Sequence, residues 1–116
     1  MREILFRGKR TDNGAWTWGY LFYVWERAYL CWGTTNSVPN MKEVLPETVC
    51  QFTGLYDKNG RKIFEGDIMR NAGNVVEFYG GDFCINGDSP LSYWTGTEVI
   101  GNIYDNPELL EVKQNG

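Results

Sequence analysis

The fold is decided by the stretch Thr48-Val-Cys-Gln-Phe-Thr-Gly-Leu-Tyr-Asp-Lys-Asn-Gly-Arg-Lys-Ile-Phe-Glu-Gly-Asp-Ile68. Its first six residues alternate between two faces and predict a strand, out of which Gly54-Leu55 is expected to turn. Asp57-Lys58-Asn59-Gly60 predicts a second turn, because Asp caps the backbone and Asn-Gly tolerates left-handed φ. Ile63-Phe64 is expected to re-enter the core. Gly66-Asp67 then makes a corner into the next strand.

Towards the N-terminus, the pattern predicts three strands, over Glu3–Arg7, Trp16–Val24 and Arg27–Trp32. Asn13-Gly14 is a strong hairpin signal between the first two. Gly19, in the middle of the second, indicates a bulge or a close backbone approach. Aromatic residues recur at every second position of that strand, and we interpret this row as core or as an assembly face rather than a platform for nucleic-acid bases. The row consists of Trp16, Trp18, Tyr20 and Phe22.

Residues 33–46 are predicted to be a loop with one helical turn near Met41–Val44, because they contain Asn, Ser and two prolines. This loop is the expected boundary between an N-terminal β segment, residues 1–46, and a barrel domain, residues 47–116. Short strands separated by Gly-rich turns follow, with one expected over Leu91–Trp94, and Asn106-Pro107 is expected to cap a short helical turn. About nine short strands and little helix predict an all-β roll or barrel.

Charge is distributed unevenly along the chain. The net charge of −4 argues against a general nucleic-acid binder. Residues 1–70 carry ten Lys or Arg and eight Asp or Glu, a balance of +2, whereas residues 71–116 carry one and seven, a balance of −6. This polarity suits self-association or a partner of opposite polarity. The alternative is that it only keeps the surface soluble.

The content of cysteine and histidine excludes several kinds of site. The chain has three widely spaced cysteines and no histidine, so neither a common zinc pattern nor a Ser-His or Cys-His pair can be written. We therefore expect no cofactor and no enzymatic activity. Cys31, Cys50 and Cys84 stand among apolar residues and are interpreted as reduced, buried thiols. Without a signal core or a membrane-length apolar run, we expect a cytoplasmic protein with no membrane partner.

Clustered carboxylates leave one catalytic alternative open. Glu65 and Asp67 flank Gly66, and Asp57 is near in sequence. Two such groups can act as acid and base or hold a divalent cation, which makes a metal-dependent enzyme an alternative hypothesis. The structural interpretation is stronger, because Asp after Gly at a tight corner accepts backbone N–H groups.

Two basic clusters leave nucleic-acid binding open as a second alternative. One lies at the N-terminus and one on the central turn, and both stand beside aromatic residues, as in small barrels that bind nucleic-acid strands. The competing interpretation is solvated turns and a charged edge strand. The candidate binding residues are Arg7, Lys9, Arg10, Lys58, Arg61 and Lys62.

The order of several motifs resembles the YopX family, small proteins found mostly in bacteriophages and prophages. The matching landmarks are Phe6-Arg-Gly-Lys-Arg10, Trp16 with Gly19-Tyr20, Gln51-Phe-Thr-Gly-Leu-Tyr-Asp-Lys-Asn-Gly60, Glu65-Gly-Asp-Ile68 and Val99-Ile-Gly-Asn-Ile-Tyr104. Residues 24–46 and 85–96 carry no family landmark. The resemblance implies a phage or prophage origin and a C-terminal part like an SH3-type barrel after an N-terminal β segment. It implies no particular activity.

The leading functional hypothesis is a non-catalytic phage or prophage accessory protein. It would be a small β-barrel binding module that forms a homo-oligomer or binds a protein partner. The absence of a catalytic constellation, the high aromatic content of 16% and the polarised charge all favour this hypothesis.

Overall fold

The computed structural model describes residues 4–70 and 73–110. Within them, antiparallel strands are joined by tight turns and by short 3₁₀ turns over Pro46–Thr48, Leu91–Trp94 and Pro107–Leu110. This confirms the prediction of an all-β fold with little helix. The strands are β1 (Phe6–Lys9), β2 (Trp16–Val24), β3 (Arg27–Thr35), β4 (Val38–Val44), β5 (Cys50–Tyr56), β6 (Lys62–Phe64), β7 (Asp67–Met69), β8 (Val76–Tyr79), β9 (Asp82–Ile85), β10 (Ser89–Pro90) and β11 (Val99–Asn102).

The chain divides into two compact units, Met1–Phe52 and Thr53–Gly116. In the first unit the strand order is β4-β3-β2-β1-β5, and each strand is antiparallel to its neighbours. The β1–β2 hairpin forms at the predicted Asn13-Gly14. There the Asn13 side chain accepts the Ala15 N–H, and Gly14 has a φ of 72°. β2 has the predicted bounds.

The sheet of the first unit curls until the end of β4 reaches β1. Arg10 and Val44 form an isolated bridge, and the Leu45 N–H donates to the Lys9 carbonyl at 2.8 Å. Gly8 permits this approach, because a Cβ at its position would lie only 3.1 Å from the Val44 side chain. The concave side of the sheet is therefore the interior. Its core consists of Ala28, Leu30 and Val44, against which Phe6, Leu21 and Val49 pack.

The predicted loop over residues 33–46 is wrong, because most of this segment is strand. β3 extends to Thr35, and β4 pairs with it from Val38 to Val44. The connection is a two-residue turn in which Asn36 and Ser37 both have positive φ, 51° and 65°. Pro39 is compatible with β4 because β4 is an edge strand and does not need every N–H for pairing.

The second unit contains two small sheets and the hairpin formed by the end of β5 with β6. β8, β9 and β10 form a three-stranded sheet, and β7 pairs with β11. Among the described residues the expected barrel is not closed. The core of this unit is contributed by strands from both sheets and by the turn after β10, and its members are Ile63, Met69, Val76, Phe83, Ile85, Leu91 and Val99.

Local geometry corrects three further predictions. β5 does not turn at Gly54-Leu55 but continues to Tyr56, with a φ of 87° at Gly54. Leu91–Trp94 is a 3₁₀ turn rather than a strand, which brings residues three apart to the same side, and both Leu91 and Trp94 pack on the core. A helical turn begins at Pro107 as predicted. The Asn106 side chain, however, accepts the Asn102 N–H instead of capping it.

The first and fifth strands also differ at their ends from the predicted ones. β1 is observed from Phe6 to Lys9, and the predicted start at Glu3 lies outside the described residues. Thr48 belongs to a 3₁₀ turn, where its hydroxyl accepts the Lys9 N–H at 2.9 Å and donates to the Leu45 carbonyl. It therefore ties the entry of β5 to β1.

Candidate protein-interaction surface

The convex side of the sheet in the first unit carries a continuous set of aromatic side chains. Alternate residues of β2 face this side, and the register places Phe22 opposite Tyr29 of β3. Their rings stack with centroids 5.4 Å apart and an interplanar angle of 14°. We name this surface the aromatic face, and it consists of Trp18, Tyr20, Phe22, Val24 and Tyr29.

The aromatic face lies at the surface of the chain. Trp18 and Val24 are each 47% exposed and Tyr20 is 68% exposed, whereas Phe22 and Tyr29 are half-buried. The interpretation of the aromatic row as core is therefore wrong, and its interpretation as an assembly face stays a prediction. The row is left outside because the curl of the sheet encloses the opposite, concave side.

Two other features of the same sheet bear on the predictions. A Cβ on Gly19 would overlap the Cys31 carbonyl, so the predicted close backbone approach at Gly19 is confirmed. Cys31 itself is half-buried, which corrects the expectation of a buried thiol, whereas Cys50 and Cys84 are buried.

Charges of both signs border the aromatic face beside Tyr29. Glu43 of β4 is the register partner of Tyr29, and Arg27 lies two residues before Tyr29 in β3. The Arg27 Nε and a Glu43 carboxylate oxygen are 4.0 Å apart, and the Arg27 side chain is 71% exposed. An exposed pair at this distance contributes little to the stability of the fold. Both groups are available to charges outside the chain.

Trp25 lies at the tip of the β2–β3 hairpin and is 96% exposed. Its φ is 56°, in the left-handed region, which is a genuine outlier for a bulky side chain. A shallow groove surrounds it and is lined by Val24, Glu26, Arg27 and Tyr29 as well as by Trp25 itself. The sequence pattern predicts only a turn at this position. The signal for an interaction site is a tryptophan at a turn position where small or polar residues are usual.

The N-terminal candidate residues are engaged within their own unit. The Arg7 guanidinium lies 4.6 Å from the centroid of the Trp16 ring, the Lys9 ammonium lies 5.4 Å from it, and Arg7 is buried. Arg10 donates two hydrogen bonds to Asp12, at 2.9 and 2.7 Å. These contacts lower the pKa of Asp12, chiefly through the hydrogen bond from Arg10.

Comparison with known proteins places the chain in a family. The family model described as YopX protein matches residues 6–111. The chain belongs to the YopX family. A solved structure, protein EF1440 from Enterococcus faecalis, is similar to it with 24% sequence identity and a TM-score of 0.63 over 96% of this chain and 100% of the other, which shows a shared fold. No protein of curated function matches the sequence.

The central turn of the YopX-family chain presents the other predicted basic residues differently. Lys58 and Arg61 are exposed, and the Lys62 ammonium lies 5.0 Å from the Tyr56 ring centroid. The structure adds Arg70, whose guanidinium lies 4.4 Å from the Trp94 ring centroid. No sequence pattern indicated this pair, because its two members are brought together only by tertiary packing.

The carboxylates of the central stretch are used by the backbone. Asp67 is buried and accepts the Phe64 N–H at 2.8 Å. Asp57 is buried and accepts N–H groups from Asn59, Arg61 and Val99 at 2.9, 2.9 and 3.0 Å. Burial raises the pKa of Asp57, but these three donors and the charge of Arg61 outweigh burial and lower it overall.

These contacts make Asp57 and Asp67 parts of the turn and of the corner, as the structural interpretation of the sequence predicted. Within residues 4–70 and 73–110, no three side chains of His, Cys, Asp or Glu gather as metal ligands would. In the same residues no helix has both the length and the apolar character needed to cross a bilayer. Among the described residues, the exposed aromatic face is therefore the strongest candidate for a functional surface.

Proposed function

We propose that this YopX-family chain is a non-catalytic binding module, encoded by a bacteriophage or prophage and acting in the bacterial cytoplasm, that associates with a second copy of itself through the aromatic face. The SH3-like character implied by the resemblance is part of this proposal. The observation that supports it best is the exposure of Trp18, Tyr20 and Val24 on one convex side of a sheet, around the stacked rings of Phe22 and Tyr29.

The area of this surface fits an interface between two copies. Trp18 and Tyr20 of the aromatic face, together with Trp25 of the adjoining hairpin tip, expose about two whole aromatic side chains, or roughly 400 Å² at about 200 Å² each. Two copies would bury roughly 800 Å² from these residues alone. Val24, the edges of the stacked rings and the polar rim bring the total towards about 1,200 Å², the low end of stable interfaces.

The charges around the aromatic face also suit a second copy. A two-fold dimer brings the same surface of both copies together, so the surface has to be complementary to itself. Arg27 and Glu43 lie beside each other on the rim and have opposite signs. A two-fold axis near Tyr29 would place Arg27 of each copy opposite an acidic group of the other. A surface of one sign would repel its own copy.

Sedimentation velocity of the full chain tests the proposal across a concentration series. We expect a monomer–dimer equilibrium with a dissociation constant on the order of micromolar. Tyr20→Ser should weaken it at least about tenfold, since it removes an exposed aromatic side chain from the centre of the face. Tyr79→Ser is the matched control, because Tyr79 is a tyrosine of nearly the same exposure, 69%, in the other unit.

Two outcomes would refute self-association through this face. One is a wild-type chain that stays monomeric up to several hundred micromolar, roughly a hundred times the expected dissociation constant. The other is an equal effect of the Tyr20 and Tyr79 substitutions, which would place the interface elsewhere.

Nucleic-acid binding is the second candidate function. The observation that favours it is the exposed pair of cations on the central turn, Lys58 and Arg61, near the Lys62–Tyr56 contact. A strand could follow the positive charges and stack on the ring. The N-terminal cluster supports this candidate less, because Arg7, Lys9 and Arg10 are engaged with Trp16 and Asp12.

A further inference from the structure

We propose that Trp25 is the anchor residue of the interface and that its indole packs, reciprocally, against Arg27 and Tyr29 in the hairpin groove of a second copy. This inference rests on the proposed self-association and assigns its central contact. The observations that carry it are the backbone conformation of Trp25, the nearly complete exposure of its side chain, and the chemistry of the groove beside it.

The conformation of Trp25 is unfavourable for the isolated chain. Left-handed φ is unfavourable for an L-residue relative to glycine, because the Cβ that glycine lacks lies too close to the backbone carbonyl oxygen. The other hairpins of the first unit use small or polar residues where φ is positive, namely Gly14, Asn36 and Ser37. Tryptophan at such a position therefore lowers the stability of the monomer.

The side chain does not offset this cost inside the chain. Trp25 is 96% exposed, and among the described residues its indole makes no hydrogen bond and no stacking or cation–π contact. A side chain that is strained and solvated gains free energy only when something outside the chain covers it. Burial of a whole indole is one of the largest single contributions available to a protein interface.

The groove beside Trp25 has the composition that would receive an indole. Arg27 supplies a guanidinium for a cation–π contact, Tyr29 supplies a ring edge, and Val24 supplies an apolar wall. Because Trp25 and its receptor lie on the same hairpin, a two-fold axis would pair each tryptophan with the groove of the other copy. The groove is continuous with the aromatic face through Val24 and Tyr29.

The decisive substitution is Trp25→Asn, because asparagine tolerates left-handed φ and restores ordinary turn chemistry. We expect opposite effects on two measurements. The melting temperature of the dilute monomer should stay the same or rise by a few degrees, as relief of the strain predicts for a chain of this size. The dissociation constant of the dimer should rise at least about tenfold.

Two further variants make the test specific. Trp25→Phe keeps an aromatic ring in the same strained turn, and it should retain most of the association. Arg27→Gln removes the guanidinium from the groove, and its effect should be largely absent in the Trp25→Asn background, because both substitutions remove the same contact.

The outcomes separate this inference from the proposed function. If Trp25→Asn leaves the dissociation constant unchanged while Tyr20→Ser weakens the dimer, the aromatic face is the interface but Trp25 is not its anchor. If Trp25→Asn lowers the melting temperature of the monomer substantially, Trp25 has a structural role and the inference is wrong. A wild-type chain that is monomeric at all concentrations refutes both.

Discussion

Replacing Asp57 by asparagine changes one atom of a side chain that joins the central turn of the second unit to the start of β11. Its Oδ1 accepts the N–H groups of Asn59 and Arg61 within the turn, and its Oδ2 accepts the N–H of Val99, 42 residues away. Asparagine keeps one oxygen, which can serve the turn. Its amide nitrogen would then face the Val99 N–H, so that two donors meet.

The expected loss in the free energy of unfolding depends on which of these N–H donors are buried. Asn59 and Arg61 are exposed and can exchange the lost bond for water, whereas Val99 is only 6% exposed and cannot. An unsatisfied buried donor costs about 1–3 kcal/mol. We therefore expect Asp57→Asn to lower the free energy of unfolding by about 2 kcal/mol near neutral pH, and Asp57→Ala to lower it at least as much.

The contribution of Asp57 to stability should depend on pH in a definite direction. The pKa of Asp57 is lower in the folded chain than its ordinary value. Its contribution is therefore present above the unfolded pKa, about 3.9, and is lost as the pH falls through the lower folded value. The difference between wild type and Asp57→Asn should be complete near neutral pH. It should shrink as the pH falls below about 4 and through the lower folded pKa, as protonation removes an acceptor from the wild type.

Urea unfolding at a series of pH values measures this difference directly, because the other carboxylates titrate alike in both chains. Asp88→Asn is the control, since Asp88 is an exposed aspartate on another turn and should change the midpoint little. A free energy of unfolding for Asp57→Asn within about 0.5 kcal/mol of the wild-type value near neutral pH would contradict this role of Asp57. A difference between the two chains that is the same in acid as at neutral pH would contradict it too.

Two other predictions concern the sheet of the first unit and the central turn. Gly19→Ala should lower the free energy of unfolding by about 1–3 kcal/mol, because its Cβ would overlap a backbone carbonyl of β3, whereas Gly96→Ala, in open space, should be nearly neutral; urea midpoints compare them. Joint reversal of Lys58 and Arg61 to glutamate should leave the dimer within about twofold of wild type, since both lie outside the aromatic face. The same reversal should abolish any salt-dependent binding of single-stranded DNA measured by fluorescence anisotropy, and a wild-type chain that does not bind at any salt concentration removes the nucleic-acid candidate.

The sequence predicts correctly those strands and turns whose conformation depends on residues close together in the chain. β2 was predicted with its observed bounds, because nine residues of period-two pattern stand between clear turn signals. The Asp57–Gly60 turn and the corner at Gly66-Asp67 were predicted because Asp accepts hydrogen bonds from backbone N–H groups and because Asn and Gly tolerate left-handed φ. The family followed from the same residues, and the family model matches across nearly the whole chain.

The sequence does not predict β4, because its residues can be recognised as a strand only when their pairing with β3 is known. Asn36-Ser37 is an uncommon pair for a two-residue hairpin, and Pro39 argues against a strand unless that strand lies at an edge. Leu91–Trp94 was missed for a related reason. Its apolar residues are compatible with either a strand or a 3₁₀ turn. The turn forms because it places both Leu91 and Trp94 on the side that faces the core.

The candidate interface shows most clearly what the sequence determines and what only the tertiary structure decides. The sequence by itself determined that aromatic side chains alternate along β2 and therefore share one side of a strand. It did not determine which side is buried, because the opposite positions include the apolar Leu21. That was decided by the curl of the sheet. Gly8 lets β1 approach β4 closely, so the side that carries Ala28 and Val44 became the interior and the wide aromatic rings were left on the convex surface.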